Sequence, residues 1–240
     1  MRTPPSGTPR MFIHIPKNGG MTIRKGLYRT QPGHFGIHLG NRGNLISGEY
    51  ADELDRVMNE MGLKSKGYEH ARWRDFRADL RERCRPFAIV RNPWARTASR
   101  YTFAVKVGDK SGKGSFRDFL ELRHVYAEKP FYWHRAVHGW YQQKDYVVDV
   151  GGELRCDILR TESLTKDVQL YLGAKYDGCH NHSNTGRKKA GIKDWRELYG
   201  DHEREIVADW YKEDIDYFGF TFDSPARKNL ADCLHTHPTD

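Results

Sequence analysis

Two segments of this sequence place a basic side chain directly after a short apolar run. In the first, the apolar residues 11–15 (MFIHI) are followed by Pro-Lys-Asn-Gly-Gly, which contains Lys17. In the second, residues 86–90 (PFAIV) are followed by Arg91. Glycines let several backbone N–H groups turn toward one centre, and a lysine or arginine adds positive charge there. Both segments therefore favour the binding of an anion such as phosphate or sulfate.

The elements around these two segments predict an α/β fold. The runs 11–15 and 86–90 have the composition of buried strands, and helices are expected over 22–28 and 94–105. Pro93 precedes the second helix, at a position that proline favours. An arginine at the carboxyl end of a parallel strand lies in the crevice where open α/β sheets bind ligands. The alternative is that the arginines of 91–100 form a solvated helix face.

Other segments complete the predicted architecture. Apolar residues at helical spacing predict three more helices. They cover residues 52–61, 164–172 and 199–218. Strands are expected over 145–150 and 156–159, joined as a hairpin through the glycine pair at 151–152.

Length and charge limit the class of protein. The 240 residues fit one domain over 11–225, with a flexible N-terminal tail at 1–10 and a C-terminal tail at 226–240. The formal net charge of +8 favours anionic partners without choosing among them. The basic residues are scattered and no nucleic-acid-binding signature is present, so nucleic acid is not expected as a partner.

Cysteine content and hydropathy bear on the compartment. The four cysteines form no CxxC pair, which argues against a disulfide scaffold or a zinc ribbon. No apolar run approaches the roughly 18 residues that span a bilayer. We therefore expect a cytoplasmic protein without integral membrane contact, and the sequence does not predict its oligomeric state.

The anion-binding segments resemble the motifs of one enzyme family. Residues 12–22, FIHIPKNGGMT, resemble the 5′-phosphosulfate loop of the carbohydrate-type (Golgi-like and bacterial) sulfotransferases. Residues 91–101, RNPWARTASRY, resemble the 3′-phosphate motif RxPxxRxxSxY of that family. Two later segments, 156–164 and 180–222, are similar to the family's strand ending in arginine and glutamate and to its C-terminal region. The resemblance covers most of the chain from 11 to 222.

This resemblance implies a fold, an activity and a set of nucleotide contacts. The fold would be P-loop-NTPase-like, with a central parallel β-sheet flanked by helices. The co-substrate would be 3′-phosphoadenosine 5′-phosphosulfate (PAPS), with 3′-phosphoadenosine 5′-phosphate (PAP) as product. The residues assigned to the 5′-phosphosulfate are Lys17, Asn18, Gly19, Gly20, Met21 and Thr22. Arg91 and Ser99 would hold the 3′-phosphate, Thr161 would lie near the adenine, and Arg187 and Lys188 would approach the nucleotide.

Two positions depart from the family pattern. Asn18 stands where threonine is usual, and Met21 stands where threonine or serine is usual. A hydroxyl donor is therefore lost, and the loop must rely more on its backbone N–H groups.

Sulfuryl transfer requires stabilised negative charge and a base for the acceptor hydroxyl. Lys17 fits the first role, because it can stabilise charge on the leaving phosphate oxygen. His70, in KGYEHARWRDF, resembles the Gly-His segment from which the family draws its base, and Glu69 is the fallback. The alternative for His70 is an exposed residue of a basic loop. His14 is less attractive, because it is expected inside the strand.

The acceptor is expected to be a hydroxyl, first of a carbohydrate or another anionic or polar molecule, with protein tyrosine or a small metabolite as alternatives. A nucleotide kinase is a further alternative, but GDKSGKGS at 108–115 lacks Walker A spacing and no preceding strand supports it. The chemistry requires no metal. The pairs His180/His182 and His235/His237 lack the carboxylate or cysteine ligands that would complete a site.

Overall fold

The computed structural model describes residues 10–20, 22–23, 45–63, 67–126, 131, 137–172 and 185–227. Within them, three strands form one parallel sheet in which neighbours follow chain order. The strands are β1 (Arg10–Ile13), β2 (Arg85–Val90) and β3 (Asp157–Arg160). The fold class is therefore α/β, with a small parallel sheet flanked by helices.

The helices of the described residues are numbered here in chain order. They are α1 (Gly48–Glu60), α2 (Ala78–Arg83), α3 (Pro93–Val107), α4 (Phe116–Glu121), α5 (Arg123–Tyr126), α6 (Lys144–Val147), α7 (Leu164–Leu172), α8 (Thr185–Lys189), α9 (Asp201–Trp210) and α10 (Lys212–Phe218). Short 3₁₀ helices cover Tyr68–His70, Trp73–Asp75, Lys110–Gly112 and Trp195–Leu198. No helix in these ranges is long and apolar enough to cross a membrane.

The sheet is buried on both faces, as a parallel sheet with helical crossovers requires. Side chains alternate along a strand, so Met11 and Ile13 join one apolar cluster while Phe12 joins the other. On β2, Phe87 and Ile89 belong to the same cluster as Phe12. The strands expected at 11–15 and 86–90 are thus confirmed, with β1 ending two residues early.

Three helix predictions are also confirmed. α3 covers the helix expected at 94–105, α1 covers most of 52–61, and α7 matches 164–172. The helix expected at 22–28 is described only at Thr22 and Ile23, which are helical. The rest of it lies outside the described residues.

The predicted hairpin is wrong, although its second strand, expected at 156–159, is confirmed as β3. Residues 144–147 form α6, because the Asp214 carboxylate accepts hydrogen bonds at 2.8 Å from the backbone N–H groups of Gln143 and Lys144. A single antiparallel bridge, Val148 to Leu154, remains of the expected pairing. β3 pairs instead with β2 in parallel, which brings the end of β3 to the same edge as the ends of β1 and β2.

The long helix expected at 199–218 is two helices. The backbone breaks at Tyr211, which has φ −111° and ψ 26° and is fully buried. Gln142 binds the backbone at this break, donating to the Trp210 carbonyl at 2.6 Å and accepting from the Asp214 N–H at 3.3 Å. These contacts replace backbone bonds that a continuous helix would make.

Candidate anion-binding site

The segment after β1, residues 14–20, is here called the lysine loop. Its backbone is left-handed at Lys17 (φ 68°) and at Gly19 (φ 86°). A helical turn begins at Gly20, and the Gly19 carbonyl accepts from the N–H groups of Thr22 and Ile23 at 2.9 and 3.2 Å. A left-handed lysine is uncommon and is strained relative to glycine, so the surrounding structure must hold it there.

Gly20 lies directly against the ring of His14. A Cβ atom added at Gly20 would lie 1.9 Å from His14 Nε2, far inside any real contact. His14 itself lies one residue beyond the end of β1 and is half-buried. The histidine expected inside the strand therefore belongs to the lysine loop.

Asn18 turns its side chain away from the surface. It is 1% exposed, and its Nδ2 donates to the Ile89 carbonyl at 2.7 Å and to Gln143 Oε1 at 2.6 Å. Asn18 thus fastens the lysine loop to β2. Thr22 is buried, and Met21 lies outside the described residues.

Residues 91–92, directly after β2, form a second loop that is here called the arginine loop. Arg91 Nη1 donates to the Lys17 carbonyl at 3.0 Å, so the two loops are in contact. Asn92 caps α3 by accepting from the N–H groups of Trp94 and Ala95, at 3.1 and 3.3 Å. The arginine loop is therefore set by the start of a fifteen-residue helix.

The electrostatic surroundings of Lys17 are cationic. Its Nζ lies 4.0 Å from the centre of the Phe103 ring, a cation–π contact. Burial lowers the pKa of Lys17 to about 7, and the charges of Arg91, Arg100 and Lys106 act in the same direction. A nearby anion would therefore raise the pKa of Lys17 and stabilise its charged form.

Arg91 is the second cation of the site. Burial lowers its pKa to about 10, and Arg187 and Arg96 contribute to the lowering. The negative charge of Glu162 opposes this lowering of the Arg91 pKa. The Glu162 carboxylate also accepts a hydrogen bond from the Asn92 N–H at 2.7 Å. Burial in turn raises the pKa of Glu162.

The solvated-face alternative for the arginines of α3 is wrong. Arg96 and Arg100 are each 1% exposed. Arg96 donates to the Pro16 carbonyl at 3.2 Å, and Arg100 donates to the Tyr211 hydroxyl at 3.1 Å. Arg96 therefore holds the lysine loop through the Pro16 carbonyl. Sequence reasoning missed this role because repeated arginines on a helix usually indicate an exposed face.

The remaining residues assigned to the nucleotide lie at different depths. Ser99 is half-buried on α3. Thr161 Oγ1 is 3.1 Å from both the Asn18 and the Val90 carbonyls, so its hydroxyl ties the end of β3 to the lysine loop. Arg187 lies on α8 close enough to lower the pKa of Arg91, whereas Lys188 is exposed.

His70 lies beside the lysine loop rather than in an exposed position. It is 8% exposed, and its Nδ1 is 2.9 Å from the His14 carbonyl. A carbonyl can only accept, so we assign the proton of the neutral ring to Nδ1 and the lone pair to Nε2. The two histidine rings are 4.5 Å apart, and Glu69 Oε1 lies 3.9 Å from His70 Nε2. This tautomer suits a general base that acts through Nε2.

Sequence reasoning missed Gln143, which is fully buried between the two loops. Nothing in the sequence distinguishes Gln143 from the adjacent Gln142. A metal is a separate matter: within the described ranges, no group of three His, Cys, Asp or Glu side chains converges to hold one. The histidine pairs at 180/182 and 235/237 lie outside those ranges.

Comparison with known proteins gives no match to a family model, to a curated protein or to a solved structure. The chemistry of this site therefore has to be inferred from its own geometry and charge.

Proposed function

We propose that this chain is a sulfotransferase that transfers the sulfuryl group of PAPS to an acceptor hydroxyl, with a carbohydrate as the first candidate acceptor. One observation carries the proposal: Lys17 and Arg91 follow neighbouring parallel strands, and the Arg91 guanidinium contacts the lysine loop at 3.0 Å. A strand, a glycine loop and a helical turn at Gly20 also support a P-loop-like arrangement.

The charge of the site favours an anion with two separate acidic groups. Lys17 and Arg91 project from different loops, and each has a pKa lowered by burial. A phosphosulfate beside Lys17 would favour its charged form, and a guanidinium suits the planar geometry of phosphate oxygens. A nucleotide that carries phosphate at both the 5′ and the 3′ positions satisfies both cations.

The proposed mechanism assigns one role to each of two side chains. The bound co-substrate would supply the sulfuryl group, whose S–O bond to phosphate breaks while a new S–O bond to the acceptor oxygen forms. Lys17 stabilises the negative charge that builds on the leaving phosphate oxygen. His70 Nε2 takes the proton of the acceptor hydroxyl, a contribution of ~10²- to 10⁴-fold.

Ligand binding tests the nucleotide. Thermal shift and calorimetry with PAP, ADP, ATP and an oligonucleotide should show marked stabilisation by PAP. Equal stabilisation by ATP, which lacks the 3′-phosphate, would contradict the assignment of Arg91 and Ser99 and would favour a kinase. Stabilisation by the oligonucleotide instead would favour a nucleic-acid-binding protein.

Turnover tests the base. We expect His70→Gln to lower turnover ~10²-fold or more while PAP affinity stays within about twofold. The matched control is His124→Gln, because His124 is exposed on α5. Near-normal turnover of the His70 variant would move the base elsewhere, with Glu69→Gln as the next variant to measure.

Mass spectrometry tests the acceptor. A panel of oligosaccharides, tyrosine peptides and small alcohols, incubated with PAPS, should show added sulfate first on an oligosaccharide. Sulfation confined to tyrosine peptides or small alcohols would keep the enzyme class and replace the acceptor.

A further inference from the structure

Gln143 joins the lysine loop to the arginine loop through one side-chain oxygen. Its Oε1 accepts from Asn18 Nδ2 at 2.6 Å and from the Arg91 backbone N–H at 2.9 Å. Gln143 is fully buried, and it lies just before α6 rather than on either loop. A third element of the fold therefore holds both loops at one atom.

The amide nitrogen of the same side chain completes the connection. Nε2 donates to the Arg91 carbonyl at 2.9 Å and to Asp214 Oδ2 at 3.3 Å. A glutamine amide offers two donors and an oxygen with two lone pairs, so these four contacts use its full capacity. Asp214 lies on α10, is fully buried, and also accepts from the Gln143 backbone N–H at 2.8 Å. The orientation of the amide is thus fixed from the C-terminal helices.

The contacts leave the ligand-binding groups available. Gln143 binds Arg91 through its backbone N–H and carbonyl, so the guanidinium can turn toward an anion without releasing Gln143. The direct contact between the loops is different, because the guanidinium itself makes it with the Lys17 carbonyl. When Arg91 engages a ligand, the contacts of Gln143 with both loops can persist.

We propose that Gln143 is a positioning residue that sets the spacing of the lysine and arginine loops, and hence of the two anionic groups of the nucleotide. As it concerns the same site, the inference rests on the proposed function for the identity of that nucleotide. A misplacement of about 1 Å in a preorganised site can lower activity by ~10²-fold. The combined contribution of Lys17 and Arg91 to nucleotide binding should therefore depend strongly on the spacing of their two loops.

Gln142 provides a matched control. Like Gln143, it contacts the C-terminal helices, donating to the Trp210 carbonyl at 2.6 Å and accepting from the Asp214 N–H at 3.3 Å. These two hydrogen bonds lie at the helix break and not at either loop. Loss of Gln142 should therefore affect stability without changing the loop spacing.

Calorimetry with PAP compares Gln143→Leu with Gln142→Leu. We expect Gln143→Leu to weaken PAP binding by ~10- to 100-fold and Gln142→Leu to change it by less than about twofold. In the wild type, the effects of Lys17→Ala and Arg91→Ala on PAP affinity should be coupled, and in the Gln143→Leu background they should become additive. If the leucine variant does not fold, Gln143→Asn keeps the amide but is one methylene too short to reach both loops, and should change affinity in the same direction.

A second measurement does not depend on PAP. The Lys17 side chain, labelled with ¹³C and assigned with Lys17→Arg, should titrate in the wild type with a pKa of about 7. In the Gln143 variant the loops separate, and the Lys17 pKa should move at least about one unit toward its ordinary value, while Gln142→Leu leaves it unchanged. If the wild type does not bind PAP, the proposed function fails and this titration still decides the role of Gln143. An unchanged Lys17 titration in a folded Gln143 variant would overturn the inference.

Discussion

The lysine loop and the arginine loop follow neighbouring strands of one sheet, but their cations have different surroundings. Arg91 has a carboxylate nearby in Glu162, and its backbone leads directly into the capped helix α3. Lys17 has a left-handed backbone and an aromatic ring, Phe103, beside its ammonium group. The charges that act on the Lys17 pKa are cationic. Arg91 therefore has a carboxylate of the fold beside it that partly offsets its burial, whereas the charges acting on Lys17 only add to the effect of burial.

The largest expected difference between the two loops is in turnover. We expect Lys17→Met to lower kcat by ~10³-fold, because the proposed mechanism places its charge beside the leaving oxygen. Arg91→Met should mainly weaken PAP binding, by ~10²-fold, with a smaller change in kcat. Steady-state kinetics at varied PAPS would check both, and equal changes of kcat and KM in the two variants would remove the distinction.

The pH dependence of stability provides the next difference. The pKa of Lys17 is about 7 in the folded chain against 10.5 for an ordinary lysine, so the unfolded state binds more protons between these values. The free energy of unfolding should therefore rise with pH over this window, by up to about 1.4 kcal/mol per pH unit from this group. Lys17→Met should lack that contribution in urea titrations from pH 6 to 10. Identical slopes for the two proteins would show that Lys17 titrates as an exposed lysine.

A smaller effect is expected at Asn18. Asn18→Thr introduces the residue usual in the sulfotransferase pattern, but the shorter side chain cannot reach both the Ile89 carbonyl and Gln143. The unsatisfied buried groups should lower the free energy of unfolding by about 1–3 kcal/mol. Chemical denaturation measures this loss, and Thr161→Val, which removes the hydroxyl near the Asn18 carbonyl but leaves the Asn18 side-chain contacts, is the comparison. A stable threonine variant would show that the lysine loop does not depend on this anchor.

The smallest effects should come from α8. Arg187 acts on the pKa of Arg91, whereas Lys188 is exposed. We expect Arg187→Ala to weaken PAP binding by ~3- to 5-fold and Lys188→Ala by less than about twofold, as for a screened surface charge. Calorimetry at low and at physiological salt would separate them, and a larger effect of Lys188 would place the nucleotide nearer the outer side of α8.

The strands and the main helices could be predicted because their signals are local. The runs at 11–15 and 86–90 are apolar and end at proline or arginine, and α7 has helical periodicity. Residues 145–150 were predicted wrongly as a strand, because the decisive contact there is with Asp214, about seventy residues away.

The residues of the candidate site also divide into those that could be predicted from the sequence and those that could not. Lys17 and Arg91 could be recognised from their positions after apolar runs, and the structure brings them together. The roles of Arg96 and Gln143 could not be recognised, because they depend on burial and on partners from distant parts of the chain. Contacts of that kind leave no periodic or composition signal.

The His14 ring packs against Gly20, and this contact limits which pairs of residues positions 14 and 20 can accept. Because a Cβ atom at position 20 would overlap the ring, alanine can be accepted there only if the His14 ring moves or position 14 becomes smaller. The two positions should therefore vary as a pair, and a library that randomises both should yield folded chains with histidine and glycine together or with two small residues.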